Sequence, residues 1–168
     1  TDKNAPVFRR RNTGAFRNKS AADKAAEPET IRQSQATAFS KDGLVFSEEQ
    51  EILPAYAVEG IDMNFRDPKV FRADGKWYMV LATNYFGKGS ILLFSSENML
   101  QWEFIRPLIQ EDDPEIPSME CPDFFPLGEK SWVLLASVMG IRTRVWAHWK
   151  YLLLKFPEEW KSYHHCIF

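Results

Sequence analysis

Lys69-Val70-Phe71-Arg72-Ala73-Asp74-Gly75-Lys76-Trp77-Tyr78-Met79-Val80-Leu81-Ala82-Thr83 decides the fold class of this chain. A short strand ends at Ala73-Asp74-Gly75, a turn signal, and the chain returns as a near-continuous apolar strand from Lys76 to Thr83. An unbroken apolar strand of that length predicts burial on both faces, in the middle of a sheet. The same texture extends in both directions. Upstream, Gln33 to Ser40 alternates polar residues with Ala and Phe, and Lys41-Asp42-Gly43 predicts a hairpin into Leu44-Val45-Phe46. Downstream, Ser90 to Ser96 and Trp102 to Leu108 predict strands separated by the turn-like Glu97-Asn98-Met99-Leu100. Phe124-Phe125, Gly128-Glu129-Lys130 and Trp132 to Val138 then begin the hairpin pattern again.

Recurrent turns between aromatic strands describe blades of four antiparallel strands, the unit of a β-propeller, although spacing alone also fits a sandwich. Residues 33–138 hold about two such blades, fewer than the four to eight of a closed propeller. The chain is therefore expected to be all-β and part of a larger fold. Before this region, residues 1–30 carry seven Lys/Arg, four Asp/Glu and the Ala-rich stretch Ser20 to Ala26, and predict a weakly structured lead-in. After Gly140 the pattern breaks. Residues 141–168 hold three of the six Trp and all three His, and a short helix is predicted around Trp146 to Lys155. The change in texture marks 141–168 as an atypical tail, as a shifted reading frame would produce.

The whole sequence of 168 residues has 21 Lys+Arg against 23 Asp+Glu and is 45% hydrophobic, which is ordinary globular composition. A formal net charge of -2 gives no general attraction to nucleic acid or to an anionic membrane, and directs attention to a small neutral partner. The longest apolar run, Trp77 to Ala82, is far short of the roughly 20 residues of a membrane helix. Thr1 to Ala15 also lacks the apolar core of a signal peptide. Cys121 and Cys166 are the only cysteines, too few for a disulfide framework and without zinc-site spacing. Adjacent His164-His165-Cys166 suits a solvated terminus better than a metal site. The acidic stretch Glu48 to Asp62 reads as an exposed loop and edge.

Two acidic motifs stand out. Arg66-Asp67-Pro68 precedes Lys69 to Phe71, and Met119-Glu120-Cys121-Pro122-Asp123 precedes Phe124-Phe125. Both are expected on Pro-punctuated loops entering strands, where a rigid β scaffold presents functional groups. In a propeller, blade-entry positions converge on the central channel. Two carboxylates aimed there suit glycoside cleavage, one protonating the leaving oxygen and another stabilising an oxocarbenium-like transition state. Taken singly, each motif also fits a turn with a local ion pair.

Together with their flanks they resemble a known family. Asn64-Phe65-Arg66-Asp67-Pro68-Lys69-Val70-Phe71, then Gly75 to Ala82, then Glu120-Cys121-Pro122-Asp123-Phe124-Phe125-Pro126-Leu127, look like glycoside hydrolase family 32. This is the β-fructosidase group of invertases, levanases, inulinases and sucrose-6-phosphate hydrolases. Gln33-Ser34-Gln35-Ala36-Thr37-Ala38-Phe39-Ser40-Lys41-Asp42-Gly43 is similar to the family's Gln-containing strand and hairpin. Leu92 to Ser96 and Leu100 to Phe104 add to the likeness, which covers about residues 31–138 and implies a partial, five-bladed propeller domain.

The resemblance implies that Asp67 is the transition-state stabiliser and Glu120 the general acid/base. It makes Arg66 an orienting residue that keeps Asp67 ionised, and puts Cys121 in the wall beside Glu120. Asp123 is expected to touch the sugar or brace its loop. Apolar Met119, Cys121 and Phe124 are the expected desolvating neighbours of Glu120. No metal or organic cofactor is implied, and the partner is sucrose or a fructan. The sequence departs from the family in one respect: nothing in the 168 residues resembles its Asn-Asp-Pro-Asn-Gly nucleophile segment, since neither Asp2 nor Asp23 has such a setting. A retaining glycosidase needs nucleophile and acid/base about 5–5.5 Å apart, so the chain alone is expected to turn over little substrate. A carbohydrate-binding remnant without chemistry, and a fructosyltransferase or arabinanase-like propeller, are the alternative readings.

Overall fold

The computed structural model describes residues 33–114, 116–128 and 131–139 in full, and residues 6–12 and 149–155 as backbone. All regular structure among these residues is β, in three antiparallel sheets. The first has the order β1-β2-β3, from Pro6–Asn12, Gln33–Phe39 and Gln50–Leu53. The second, β4-β5-β6-β7, comprises Ile61–Ala73, Lys76–Tyr85, Lys88–Ser96 and Glu103–Gln110. The third has β8 (Ser118–Leu127) at one edge, β9 (Ser131–Met139) in the middle and β10 (Trp149–Lys155) outside. The second sheet is a whole four-stranded meander, and the other two flank it as neighbouring blades of a propeller.

The strand from Lys76 to Thr83 is central, as its composition requires. Met79, Val80, Leu81 and Ala82 are all at 0% exposure, with alternate residues feeding two cores. Val80, Ala82, Ile91 and Leu93 pack towards the third sheet with Met119, Phe124, Trp132 and Leu134. Met79, Leu81, Leu92 and Phe94 pack on the other face with Leu53, Ile61 and Phe65. Phe71, Phe124 and Trp132 form a three-ring cluster between the second and third sheets, with centroids 5.1–5.2 Å apart. Blades made of half-buried strands have no other way to adhere than through such apolar faces.

Three expectations are corrected. Leu44-Val45-Phe46 is not the return strand of the first hairpin: Leu44 and Val45 are exposed, and the return comes at β3. The reason is Asp42, whose Oδ1 accepts from the backbone N–H groups of Leu44 and Val45 and from Ser40 Oγ, winding the chain into a closed loop. Secondly, Trp149–Lys155 is a strand and not a helix, paired along its length with β9 from Trp149↔Ser137 to Lys155↔Ser131. An apolar run without alternation fits a buried strand as well as a helix, and here the free edge of β9 takes it up. Thirdly, β4 begins at Ile61 and β8 at Ser118, so both acidic motifs lie inside strands and not on loops before them.

Candidate active site

Each motif interrupts its ladder in the same way. In β4 the pairing steps from Arg66↔Ala82 to Lys69↔Val80, so Asp67 and Pro68 together face Leu81. In β8 it steps from Glu120↔Ser137 to Asp123↔Leu135, so Cys121 and Pro122 face Ala136. These are β-bulges, two residues against one, at points where proline has no N–H to give the ladder. The residue before each proline has positive φ, 57° at Asp67 and 49° at Cys121. A non-glycine residue there costs on the order of 1–2 kcal/mol, strain of the kind concentrated at functional sites.

The bulge has a geometric result. Residues three apart normally point to opposite sides of a strand, but Arg66 and Lys69 come to one side, as do Glu120 and Asp123. The two motifs then meet rung by rung. Arg66 Nη2 donates to Glu120 Oε1 at 2.5 Å, the Cys121 N–H donates to Asp67 Oδ2 at 3.0 Å, and Lys69 Nζ pairs with Asp123 Oδ1 at 2.8 Å. Every rung joins residues 54 apart in sequence.

All five candidate site residues are thus brought together: Arg66, Asp67, Glu120, Cys121 and Asp123. Their contacts differ from the expectation in two ways. Arg66 spends its guanidinium on Glu120, with only Nε at 4.0 Å from Asp67 Oδ2. Met119 and Phe124 do not surround Glu120, because they alternate onto the core face and sit at 1% exposure in the apolar cluster. The Arg66 and Glu120 side chains are 17% and 30% exposed, so the pair is partly desolvated yet open on one side. Cys121 is an exposed residue whose sulfur lies 3.7 Å from Asp67 Oδ2. Partial burial first, and then the carboxylates of Asp67 and Glu120, push its thiol above the ordinary value, so it is a protonated donor at neutral pH.

Further residues position the site. Gln33 and Gln35, both buried in β2, clamp the backbone of Phe65: Gln33 Oε1 accepts its N–H at 3.0 Å and Gln35 Nε2 donates to its carbonyl at 2.6 Å. Asp62 accepts from the Asn64 backbone N–H at 2.6 Å, and Asn64 Oδ1 accepts from Arg66 Nη1 at 2.9 Å. A polar chain therefore runs from Asp62 through Asn64 and Arg66 to Glu120. The sequence signal for the clamp is a pair of glutamines at period 2 in a strand otherwise built of small and apolar residues.

Among the described residues no group of three His, Cys, Asp or Glu is placed to hold a metal. His164-His165-Cys166, Asp2 and Asp23 lie outside the described residues.

Comparison with known proteins gives the family. The family model described as glycosyl hydrolases family 32 N-terminal domain matches residues 13–166. The chain is 39% identical over 115 residues to a sucrose-6-phosphate hydrolase of Escherichia coli, covering 68% of this chain and 24% of that protein. A raffinose invertase of Escherichia coli is 36% identical over 107 residues, covering 63% of the chain and 22% of the relative. Among solved structures, a family 32 β-fructofuranosidase of Bombyx mori superposes with a TM-score of 0.74 at 24% identity, over 95% of this chain and 33% of that one. The chain spans about a quarter of the length of the curated relatives it matches.

Proposed function

Because the chain belongs to glycosyl hydrolase family 32, we propose that it carries part of the machinery of a β-fructofuranosidase, hydrolysing terminal β-fructofuranosyl bonds of sucrose or fructans with retention. Asp67 and Glu120, brought to adjacent bulges by the rung-by-rung pairing, are the observation that carries this reading. Asp67 is fixed by the Cys121 N–H and stabilises positive charge developing on the fructosyl ring. Glu120 protonates the leaving oxygen and later activates water, with Arg66 setting its position. The substrate is a small carbohydrate. A relative of the same fold, the Bombyx mori enzyme, has been solved as a variant in complex with sucrose.

Double displacement also needs a nucleophile, and the 168 residues hold no counterpart of the family's nucleophile segment. Lys69–Asp123, Asp62 and Asn64 hold the site together and take no proton from the substrate. The expected behaviour of the isolated chain is therefore fructose binding without turnover.

The test is isothermal titration of the purified chain with fructose, alongside an assay of fructose release from sucrose, for wild type, Asp67→Asn and Glu120→Gln. Binding in the wild type, weakened in Asp67→Asn, with no release by any of the three, supports the reading. Release by wild type that both substitutions abolish would overturn the missing-nucleophile argument. Absence of fructose binding would overturn the fructoside assignment.

A further inference from the structure

Gly89, second in β6, is a glycine for want of space and not of conformation. Its φ lies outside the left-handed region, unlike the 80° of Gly87 two residues before it. A Cβ at Gly89 would stand 2.8 Å from the Ile116 carbonyl oxygen and 3.0 Å from the Ser118 nitrogen, both main-chain atoms. Glycine inside a strand weakens it by roughly 0.5–1 kcal/mol against alanine, and marks a place where another stretch of backbone comes close.

That stretch connects β7 to β8, and it is bonded to the same rung from several points. The Glu111 N–H donates to the Gly89 carbonyl at 2.9 Å, and the Gly89 N–H donates to the Ile116 carbonyl at 3.3 Å. Asn84, the cross-strand partner of Gly89 on β5, donates from Nδ2 to the Pro117 carbonyl at 3.0 Å. The Ile116 side chain, 2% exposed, is anchored in the same apolar cluster as Met119. One rung of the second sheet thus seats residues 116–118, where the chain enters β8.

Glu120 follows two residues after Ser118. The links close a ring. Arg66 pairs with Ala82 on β5, Asn84 two residues further on holds Pro117, and Glu120 three residues beyond Pro117 returns to Arg66 at 2.5 Å. Much of the joint between the second and third sheets is apolar, and apolar contact is non-directional, holding two faces together while letting them slide. Height along the strand is set by polar bonds of definite length and by the steric stop at Gly89. The stop stands on the stiff side, because β6 is paired on both edges, with β5 and β7, whereas most of the entering segment lies outside the strands.

We infer that Asn84 and Gly89 are positioning residues for Glu120, setting how far along β8 the acid/base stands relative to Arg66 and Asp67. This rests on the fructosidase reading above and deepens it. The two residues act through the main chain and not on the sugar.

The experiment compares the 168-residue wild type with Gly89→Ala, Asn84→Ala and a control, Leu53→Ala, which opens a cavity in the other apolar cluster. Nuclear magnetic resonance reads the Cys121 amide, which donates to Asp67, and the Arg66 guanidinium, which donates to Glu120. Titration calorimetry reads fructose affinity, and thermal unfolding reads stability. Both site signals are expected to move in Gly89→Ala, to move less in Asn84→Ala, which removes a donor and adds no bulk, and to stay in Leu53→Ala. Fructose affinity is expected to fall about fivefold in Gly89→Ala, the worth of one hydrogen bond from Glu120 to the anomeric hydroxyl, and to hold in Leu53→Ala despite its lower melting temperature. If Gly89→Ala does not fold, Asn84→Ala decides alone. Site signals unmoved in the rung variants, or moved equally in Leu53→Ala, would overturn the inference and make the rung a packing feature, whether or not fructose binds. Moved signals with fructose affinity unchanged would overturn the role assigned towards Glu120. A wild-type chain that binds no fructose would overturn the fructosidase reading, and the positioning role with it.

Discussion

Arg66-Asp67-Pro68-Lys69 on β4 and Glu120-Cys121-Pro122-Asp123 on β8 share a backbone and oppose each other in chemistry. Each is a bulge with proline in its second place and a positive-φ residue in its first. Along one strand the side chains are cation, acid and cation. Along the other they are acid, thiol and acid, so each position finds a complementary partner 54 residues away. Propeller blades provide the repeat, and the candidate site arises where two bulges of one kind carry complementary charge. The two copies are braced differently: Phe65 is clamped by two glutamine side chains from β2, whereas the matching Met119 carbonyl accepts a side-chain hydrogen bond from its neighbour Ser118 Oγ at 3.5 Å.

The largest effect is expected from the innermost rung. Arg66→Met leaves Glu120 partly desolvated and unpaired, and is expected to cost about 2–3 kcal/mol of stability by chemical denaturation. If the two strands are equivalent carriers, Arg66→Glu combined with Glu120→Arg recovers more than half of what either single change loses, in a double-mutant cycle. Failure to recover would show that Asn64, which holds Arg66 alone, makes the strands unequal.

Gln35→Leu comes next, because it strands the buried Phe65 carbonyl and unbraces only the first copy; the expected loss is about 1–2 kcal/mol. Hydrogen exchange sharpens the point: protection should fall around β4 and hold in β8.

The outer rung should matter less. Lys69 and Asp123 side chains are 44% and 48% exposed, so Lys69→Met is expected to cost under about 1 kcal/mol and to lose its effect in high salt.

The smallest change is Cys121→Ser, a few tenths of a kcal/mol at neutral pH, since the backbone donor to Asp67 remains; about that much is expected when a weak thiol hydrogen bond is exchanged for a hydroxyl one. Its pH dependence is diagnostic. The folded thiol sits above its ordinary value of 9.0, so the unfolded chain loses that proton first and wild-type stability declines as pH rises past it. Cys121→Ser should abolish that decline, and alkylation of wild type by iodoacetamide at pH 8 should be slower than that of a free thiol.

Composition and pattern carried the fold where one force dominated. The strand from Lys76 to Thr83 had to be buried on both faces, and Asp74-Gly75 had to turn. Pattern failed where two structures share a signature. Tyr151 to Leu154 is as good a helix core as a strand, and only the open edge of β9 decides. Leu44-Val45-Phe46 is a strand by composition, but the carboxylate of Asp42 captures the local amides first. Proline within an acidic motif marks a strand's start or a bulge equally well, because both spare a ladder hydrogen bond. The five candidate residues, which the structure brings together, were singled out from their motifs. Their pairing was not, since nothing linear in the chain tells that Arg66 meets Glu120 before Asp67.

A bulge is also a shift of phase. Met119 and Phe124 stand five apart, an odd number, yet both enter the core, because one extra residue at Cys121-Pro122 resets the alternation between them. The reading of β8 as a code of inward and outward positions thus holds only in two halves, joined at that point. Removing a single residue from the junction would leave Met119 and Phe124 four apart, the spacing of their partners Val138 and Leu134, so both would stay in the core and the ladder would close without the bulge. What the extra residue supplies is therefore the bulge itself, the positive-φ position at Cys121 whose N–H reaches Asp67, and not the alternation of the core.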